Sequence, residues 1–293
     1  MHSFLRAVGF GNEMTKSKED MLLQEVIQNP DLIEVAENFQ GNEFVEFTKE
    51  FAPSMGIKAC GEYDEEGKFR MDYYYPYLHG TGITTQEEVS VERHADHDSY
   101  AGVCDEMKLG VTLIFYLQDV ARFFGEHMNN QSLPPASTTL SALSIQGKII
   151  LPICKDEKQI RMSEKNTKNR SHLMEAAREG DEEAIESLTL EDMDTYSMLS
   201  RRVTREDILS IVDTSFIPYG IESDQYAIIG EILDVKTEKN RYSNETVYVM
   251  TVCCNDMVYD LCINRKDLLG EPAVGRRFKG NIWMQGREQY FMN

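Results

Sequence analysis

Cysteine is scarce in this chain, and its spacing is that of isolated residues. No two cysteines stand in a C-x-x-C or C-x-H pattern, and the six positions are Cys60, Cys104, Cys154, Cys253, Cys254 and Cys262. A zinc knuckle needs paired spacing, and a small disulfide-linked domain needs a dense cysteine framework. The sequence therefore excludes both as the basis of the fold.

Long hydrophobic runs are also missing. The longest strongly apolar stretch, Leu109–Leu117, covers nine residues, whereas a membrane-spanning helix needs about 20. The opening residues, MHSFLRAVGFGNEM, lack the apolar core of a secretory signal peptide. We therefore expect a soluble protein of the reducing cytoplasm, without membrane association.

Basic residues are outnumbered by acidic ones. The chain has 30 lysines and arginines against 50 aspartates and glutamates, a net charge of −20. Residues 221–293 hold 11 acids and 9 bases, a net of −2, so the rest of the chain carries −18. Such a field repels phosphate backbones. Nucleic-acid binding is therefore not expected of the intact chain, and stays open for the nearly neutral C-terminal part.

Motifs of the common enzyme classes are absent. The sequence contains no P-loop, no G-x-G-x-x-G, no G-x-S-x-G and no kinase signature. No cofactor and no catalytic residue is therefore predicted, and we expect a protein that acts without catalysis.

The clearest pattern that the sequence does contain is a series of short strands over residues 221–293. Apolar residues cluster or alternate over several segments, which are Tyr226–Val235, Thr246–Val252, Met257–Ile263 and, after a short helix at Arg265–Leu269, the pair Arg277–Phe278 and Asn281–Met284. Strands, a short helix and more strands follow the order of an OB-type barrel, a fold that binds more often than it catalyses. We expect a self-contained, OB-like β-barrel here.

Residues 1–165 predict an α+β domain with a mixed antiparallel sheet. Helices are expected at Lys18–Gln28, Pro30–Asn38 and Gln118–Met128. Strands are expected at Phe44–Phe51, Met55–Tyr63, Lys68–Tyr77, Glu88–His94, Tyr100–Cys104 and Gly110–Leu117, followed by a hairpin of Leu143–Ile145 and Lys148–Ile153 around Gln146-Gly147. A glycine turn at Gly67 joins the second and third of these strands.

Residues 166–220 predict an acidic helical connector. Residues 172–213 hold 12 acids and 4 bases, with Gly180 as a helix C-cap and Asp181 as an N-cap. Apolar residues fall on one stripe of each helix, at Leu173, Met174, Ala177, Ala184, Ile185 and Leu188. We expect this stripe to be buried against the flanking domains.

Two groups of residues are candidates for ligand contact. Tyr73, Tyr75 and Tyr77 share one face of a predicted strand and would suit a ligand or partner groove. Packing within a core explains the same pattern. In the barrel, bases and aromatics mix as they do in single-strand-binding barrels, at Arg276, Arg277, Lys279 and Trp283. A charged, solvent-facing outer surface of the barrel explains the same residues equally well.

A third cluster, Glu92–Asp98, combines imidazole with carboxylate. His94, Asp96 and His97 are weak candidates for a divalent-metal site. Because side chains alternate along a strand, His94 and His97 would point to opposite faces. We therefore expect no tightly bound metal, and a charged strand end explains the cluster.

Four segments of the sequence resemble a known family. They are MHSFLRAVGF, YAGVCDEMKLGVTLIFYLQ, SFIPYGIESDQYAIIGEI and GEPAVGRRFKGNIWMQG. They are similar to a family of clostridial (Firmicutes) proteins of about this size that is catalogued as a domain of unknown function. The resemblance covers the whole chain and implies a complete Firmicutes protein of the cytoplasm. It carries no site residue with it.

Taken together, these patterns predict a binding or regulatory protein that recognises another protein or a small ligand. A metal-dependent enzyme using the His94 cluster is the first alternative. Single-stranded nucleic-acid binding by the barrel is the second.

Overall fold

The computed structural model of the chain describes residues 2–11, 14–64, 66–93, 99–106, 109, 111–128, 137–153, 169–170, 172–177, 179–220 and 224–289. The fold is mixed α+β, as the sequence predicts, and contains a closed five-stranded barrel. A four-stranded antiparallel sheet packs beside the barrel. No helix in the described part of the chain is both long and apolar enough to cross a membrane.

The four-stranded sheet consists of β1 (Leu32–Glu37), β2 (Glu43–Ala52), β3 (Met55–Tyr63) and β4 (Phe69–Leu78), side by side in chain order. The remaining strands are β5 (Ser90–Arg93), β6 (Tyr100–Glu106), β7 (Val111–Leu117), β8 (Ser137–Ile150), β9 (Ser215–Pro218), β10 (Gln225–Lys239), β11 (Thr246–Cys254), β12 (Met257–Asn264), β13 (Leu268–Leu269) and β14 (Arg277–Gln289). The α-helices with both ends described are α1 (Lys16–Gln28), α2 (Val120–Met128), α3 (Glu182–Val203) and α4 (Ile208–Ile211), and 3-10 helices cover Ser3–Val8 and Arg265–Asp267. Residues 169–170 and 172–177 are also helical.

Local signals in the first sheet are confirmed. Helix α1 begins after Thr15, whose side chain accepts a hydrogen bond from the backbone N–H of Lys18. The strands predicted around residues 44–77 are β2, β3 and β4. Gly67 has a φ of 76°, the left-handed value that its turn requires.

The helix predicted at Pro30–Asn38 is wrong. Residues Leu32–Glu37 form β1, which pairs antiparallel with β2 from Leu32 opposite Thr48 to Glu37 opposite Glu43. Hydrogen bonding to a neighbouring strand outweighs the local helix signal after Pro30, and the β-branched Ile33 and Val35 suit the pleated edge.

The barrel closes through one parallel contact. Strands β10, β11 and β12 form an antiparallel meander. Strand β12 then pairs parallel with β8, β8 pairs antiparallel with β14, and β14 pairs antiparallel with β10. Strands β7, β6 and β5 extend the same sheet beyond the barrel, because β7 pairs parallel with β14.

The barrel is therefore not self-contained in residues 221–293, and that expectation is wrong. Its fifth strand, β8, precedes the predicted connector and was expected to belong to the N-terminal domain. The domain boundaries at residues 165 and 220 stay a prediction, but the barrel itself crosses both of them.

Two expected breaks in strands are also wrong. The hairpin predicted around Gln146-Gly147 is one continuous strand, β8, and the two segments expected between Arg277 and Met284 are one strand, β14. Gly147 and Gly280 do not turn the chain. A Cβ atom at Gly147 would lie 2.3 Å from Phe278 Cε2, and one at Gly280 would lie 2.7 Å from Phe278 Cζ. Both glycines make room for this buried ring inside the barrel.

The connector is helical, and its caps are confirmed. Gly180 has a φ of 90°, and the Asp181 carboxylate accepts hydrogen bonds from the N–H groups of Glu183 and Ala184. The predicted burial of the apolar stripe holds only in part for α3, because Ala184 is buried and Leu188 half-buried but Ile185 is 48% exposed. Other large apolar side chains on this helix are also exposed: Leu190, Met193, Tyr196 and Met198.

The N-terminal 3-10 helix lies against the barrel, where it packs on β8 and β12. Asn240 Nδ2 donates to the carbonyl of Val8 at 2.8 Å, and Ser243 Oγ donates to the carbonyl of Gly9 at 2.5 Å. Gly9 ends the helix with a φ of 93°, and a Cβ atom there would lie 2.8 Å from Asn240 Cβ. The first turn of the chain is thus part of the barrel's packing.

Candidate functional site

A cleft of about 480 Å³ lies where the outer end of the four-stranded sheet faces β5, β6 and α2. Its volume falls within the range of small-molecule sites. One wall comes from the β1–β2 turn and from β3 and β4, and the other comes from β5, β6 and α2. We refer to it as the inter-sheet cleft.

The floor of the inter-sheet cleft is aromatic. Phe124 on α2 is buried, and three rings meet it edge to face. The ring centroids of Phe39 and Phe44 lie 5.2 Å from that of Phe124, and the centroid of Tyr100 lies 5.4 Å away. Phe124 and Phe44 are buried beneath the floor, while the exposed Phe39 and the half-buried Tyr100 present apolar surface to the cleft.

One side of the rim is a carboxylate fixed by two amides. Asn38 Nδ2 donates to Glu62 Oε1 at 2.6 Å, and Asn42 Nδ2 donates to Glu62 Oε2 at 3.0 Å. Asn38 Oδ1 in turn accepts from the backbone N–H groups of Gln40 and Asn42. These bonds hold the β1–β2 turn on Glu62 and fix the positions of its polar groups.

The mouth of the cleft carries charges of both signs. Arg70 and Asp72 on β4 lie 3.5 Å apart, nitrogen to oxygen, and Arg93 ends β5 on the opposite wall. The metal candidates His94, Asp96 and His97 follow Arg93 directly and lie outside the described residues. Among the residues that the structure does describe, no group of three or more histidine, cysteine, aspartate or glutamate side chains is placed to hold a metal.

The three candidate tyrosines lie inside the packing between the sheet and the barrel, and they do not line the inter-sheet cleft. Tyr75 and Tyr77 are buried, and Tyr73 stacks on Tyr75 with centroids 6.4 Å apart. Tyr75 also meets Tyr116 of β7 at 4.8 Å. Burial raises the pKa of the Tyr73 and Tyr75 hydroxyls well above the ordinary value. Both stay protonated core groups.

The candidate residues of the barrel are not brought together on one surface. Arg277 is buried and donates to the carbonyls of Leu151, Val212 and Leu209 at 2.7 to 3.0 Å. Arg276 donates to the carbonyl of Glu271. Arg277 thus fastens the segment around α4 to the barrel, and its guanidinium is already occupied.

Trp283 and Lys279 lie in different surroundings. Trp283 is buried, and its indole Nε1 donates to Asp224 Oδ2 at 2.7 Å. Its ring also lies 5.0 Å from that of His2 and 4.9 Å from that of Tyr116. Lys279, by contrast, is half-buried on the outer surface of the barrel.

A buried charge cluster connects the sheet, α2 and the barrel. Lys58 on β3 pairs with Asp119, and Asp119 also accepts from Arg287 Nε at 2.5 Å. Burial lowers the pKa of Lys58, but Glu46 and Asp119 outweigh it and the net shift is upward. Burial raises the pKa of Asp119, but Lys58 and Arg287 outweigh it and the net shift is downward. The lysine is held charged, so it is no nucleophile.

Sequence reasoning missed most of the inter-sheet cleft. The sequence predicts a helix at Phe124 and strands at Tyr100 and Glu62, without bringing the three residues together. It also predicts a helix that ends at Asn38, where the structure has the β1–β2 turn. These residues come together through contacts between different strands and helices, and such contacts produce no regular spacing in the sequence. Only the charged run that starts at Glu92 pointed to this end of the molecule.

Comparison with known proteins assigns the chain to a family. No curated protein and no solved structure shows significant similarity to it. Residues 5–286 match the family described as "Domain of unknown function, E. rectale Gene description (DUF3881)". This match covers nearly the whole chain, as the resemblance of the four segments implies. The chain belongs to the DUF3881 family.

Proposed function

We propose that the chain is a non-catalytic, cytoplasmic binding protein that holds a small molecule in the inter-sheet cleft. The observation that carries this proposal is the pairing of an aromatic floor around Phe124 with a preordered polar rim at Glu62. Binding sites combine such apolar walls with a few fixed polar groups. The cytoplasmic assignment is supported by five free cysteines among the described residues.

The chemistry of the cleft favours a ligand with a ring and a polar group. A ring would pack against Phe124 and Tyr100, where edge-to-face contacts add to apolar burial. The polar group would lie toward Glu62 and Asn42, which are already ordered by their mutual hydrogen bond. Preordering reduces the conformational entropy that a ligand must otherwise overcome.

The barrel supports a binding function less directly. The strand pairings of the closed barrel support an OB-like arrangement. A three-stranded meander is followed by one parallel and two antiparallel pairings, and β8 would take the place of the last strand. OB-folds bind on the face of their second and third strands. Here those strands are β11 and β12, and part of that face is covered by the N-terminal 3-10 helix and by Thr81, which donates to Asp260. The cleft is therefore the better site.

Three compounds that share a benzene ring and differ in the head group test the proposal. Benzamidine, benzamide and benzoate present a cation, an amide and an anion on the same ring, and binding is measured by NMR shift perturbation on the intact protein. We expect at least one of them to shift the signals of Tyr100 and Phe124 with a dissociation constant near or below ~1 mM, the range of small fragments.

Filling the cleft provides the blocking variant. Val91 lines the cleft on β5, so Val91→Trp should abolish the shifts without removing a polar group. Val103→Trp is the matched control, because Val103 is on the neighbouring strand and outside the cleft lining. Absence of binding by all three compounds, or equal binding by the Val91→Trp protein, would contradict the proposal.

The first alternative, a metal-dependent enzyme, makes a different prediction at the same place. The His94 cluster follows Arg93, which lines the cleft. Metal analysis of protein purified without chelator distinguishes the two. A stoichiometric transition metal that is lost in His94→Ala would favour the enzyme.

A further inference from the structure

A second surface, on the outside of the barrel, has the chemistry of an anion site. Gln146 and Lys148 on β8 lie next to Lys279 and Asn281 on β14. They line an open depression of about 550 Å³. We call these four residues the lysine patch.

The four side chains point outward because the glycines between them point inward. Gly147 and Gly280 face Phe278 in the barrel interior. Side chains alternate along a strand, so Gln146 and Lys148 on one side, and Lys279 and Asn281 on the other, project to the surface. The register places Lys148 directly opposite Lys279, and Gln146 directly opposite Asn281.

Two lysines in this relation repel each other. Like charges directly opposite on neighbouring strands are destabilising. Neither ammonium group has an ion pair or a side-chain hydrogen bond with any residue that the structure describes. In a chain of net charge −20, these two adjacent lysines therefore destabilise the strand pair without a counter-charge among the described residues.

The surroundings leave this positive charge available. Among the described residues that line the depression, the one carboxylate is that of Asp267, and Arg6 pairs with it. A third lysine there, Lys266, is bonded to Glu245 at 2.6 Å. The lysine patch is therefore the part of the depression where positive charge has no carboxylate beside it among the described residues.

Apolar surface adjoins the patch on both sides. Lys279 and Asn281 also border a groove of about 300 Å³ whose lining is mainly apolar, from Leu209 of α4 to Ile217 of β9 and Ile229 of β10. On the opposite side, Leu269 is largely exposed. A ligand that bridges the patch and the groove must therefore carry both an anion and an apolar group.

We propose that the lysine patch binds a small organic anion. Its phosphate or carboxylate is held by Lys148 and Lys279 and by the amides of Gln146 and Asn281, and its apolar portion lies in the groove beside Ile229. The anion relieves the repulsion between the two lysines, so binding and stability are coupled. This site is separate from the inter-sheet cleft and does not depend on the function proposed for it.

Titration of the intact protein with inorganic phosphate, hexyl phosphate and hexanoate, followed by NMR shifts and by calorimetry, tests the proposal. We expect saturable binding of hexyl phosphate or hexanoate, centred on Lys148 and Lys279. The hexyl compound should bind about tenfold or more tightly than inorganic phosphate, because burial of two methylene groups suffices for that factor. Comparison of hexyl phosphate with hexanoate identifies the head group.

The double variant Lys148→Gln/Lys279→Gln should weaken binding about tenfold or more. Its melting temperature should equal or exceed that of the parent, because repulsion is removed. Lys16→Gln/Lys236→Gln is the matched control: it makes the same change in net charge elsewhere on the surface and should bind like the parent.

Three results would overturn the proposal. The first is no saturable binding of either hexyl compound, and the second is binding unaffected by the double glutamine variant. The third is binding of an oligo(dT) strand at the patch more tightly than hexyl phosphate at ~0.15 M salt, which would show that the surface takes a nucleic acid and not a small anion.

Discussion

Lys58 and Asp119 form an ion pair that joins the four-stranded sheet to the loop before α2, although the Lys58 side chain is only 1% exposed. The second oxygen of Asp119 accepts from Arg287 of β14, so this single carboxylate links the sheet, the helix and the barrel. Glu46 lies 3.9 Å from the Lys58 ammonium and accepts from the N–H of Ala121 in α2. The four-stranded sheet and the barrel are thus held together by buried charged groups as well as by apolar packing.

Removal of the lysine charge should therefore be costly. We expect Lys58→Met to lower the free energy of unfolding by about 3–5 kcal/mol, because it leaves Glu46 buried without a counter-charge. The double variant Lys58→Met/Glu46→Leu should recover part of this loss, as measured by urea denaturation in a double-mutant cycle. Strictly additive losses would show that Glu46 is stabilised by other groups.

The glycines inside the barrel give a second prediction. Gly147→Ala places a methyl group against the ring of Phe278 and should destabilise the protein by about 1–3 kcal/mol. Gly147→Ala/Phe278→Leu should be less destabilised, since a smaller side chain vacates that space. Gly125→Ala is the control: it lies in α2 with nothing within 4 Å of an added Cβ, and it should be neutral or stabilising by up to ~1 kcal/mol. Equal effects at both glycines would contradict this account of the barrel core.

The exposed face of α3 gives a third prediction. Ile185→Asp should change the unfolding free energy by no more than about 0.5 kcal/mol, because the side chain is half in solvent. The same substitution at Ile232, which is fully buried in the barrel, should abolish folding or cost several kcal/mol. Thermal melts compare the two. A large loss at Ile185 would mean that α3 packs on another surface in solution.

Stability should also depend on pH through His2. Its ring is packed against Trp283 and Tyr74, and burial lowers its pKa from 6.5 to about 4. Between pH 6.5 and about 4, the His2 imidazole is therefore protonated in the unfolded chain and neutral in the folded chain. Stability is full above pH 6.5 and falls as the pH decreases toward about 4, by on the order of 1–3 kcal/mol.

Urea midpoints across this pH range check the prediction. His2→Gln should flatten the decline, and the remaining slope should come partly from His79, whose pKa is lowered by burial to about 3. Asp119 cannot produce the same slope, because its pKa is shifted downward and its contribution is lost only in stronger acid. An unchanged pH profile in His2→Gln would contradict the assignment.

Features that depend on neighbours in sequence could be predicted. The Gly180 and Asp181 caps require only the residues of two adjoining helical turns, and both are where the pattern places them. Strands β2, β3 and β4 are joined by short turns, so their alternation and the turn at Gly67 were sufficient. The α+β class followed from such local signals, and the presence of a barrel followed from the series of short strands in residues 221–293.

Features that depend on residues far apart in the sequence could not be predicted from it. The local sequence predicts a turn at Gly147, because Phe278, which occupies the space beside this glycine, comes 131 positions later. Arg277 resembles a surface base until three carbonyl groups from other segments surround it. The inter-sheet cleft could not be predicted from the sequence for the same reason. Asn38, Glu62 and Phe124 come together only when the four-stranded sheet packs against α2.

The late position of β14 and the early position of β8 affect how the molecule is assembled. Strand β8, which closes the barrel at one side, is the first barrel strand to be synthesised. Its two partners, β12 and β14, are synthesised only after the connector. Until β12 has been made, β8 has no partner strand from the barrel, so both of its edges are open to wrong pairing. The barrel can close only after β14 has followed.

The same arrangement means that the peptide bonds of the connector are dispensable for holding the barrel together once it has formed. A protease that cuts within α3 would leave one fragment carrying β8 and another carrying β10 to β14. These fragments would remain joined by strand pairing, as the halves of a split protein do. Gel filtration of the nicked protein would show a single species of unchanged size, and separation would require denaturant.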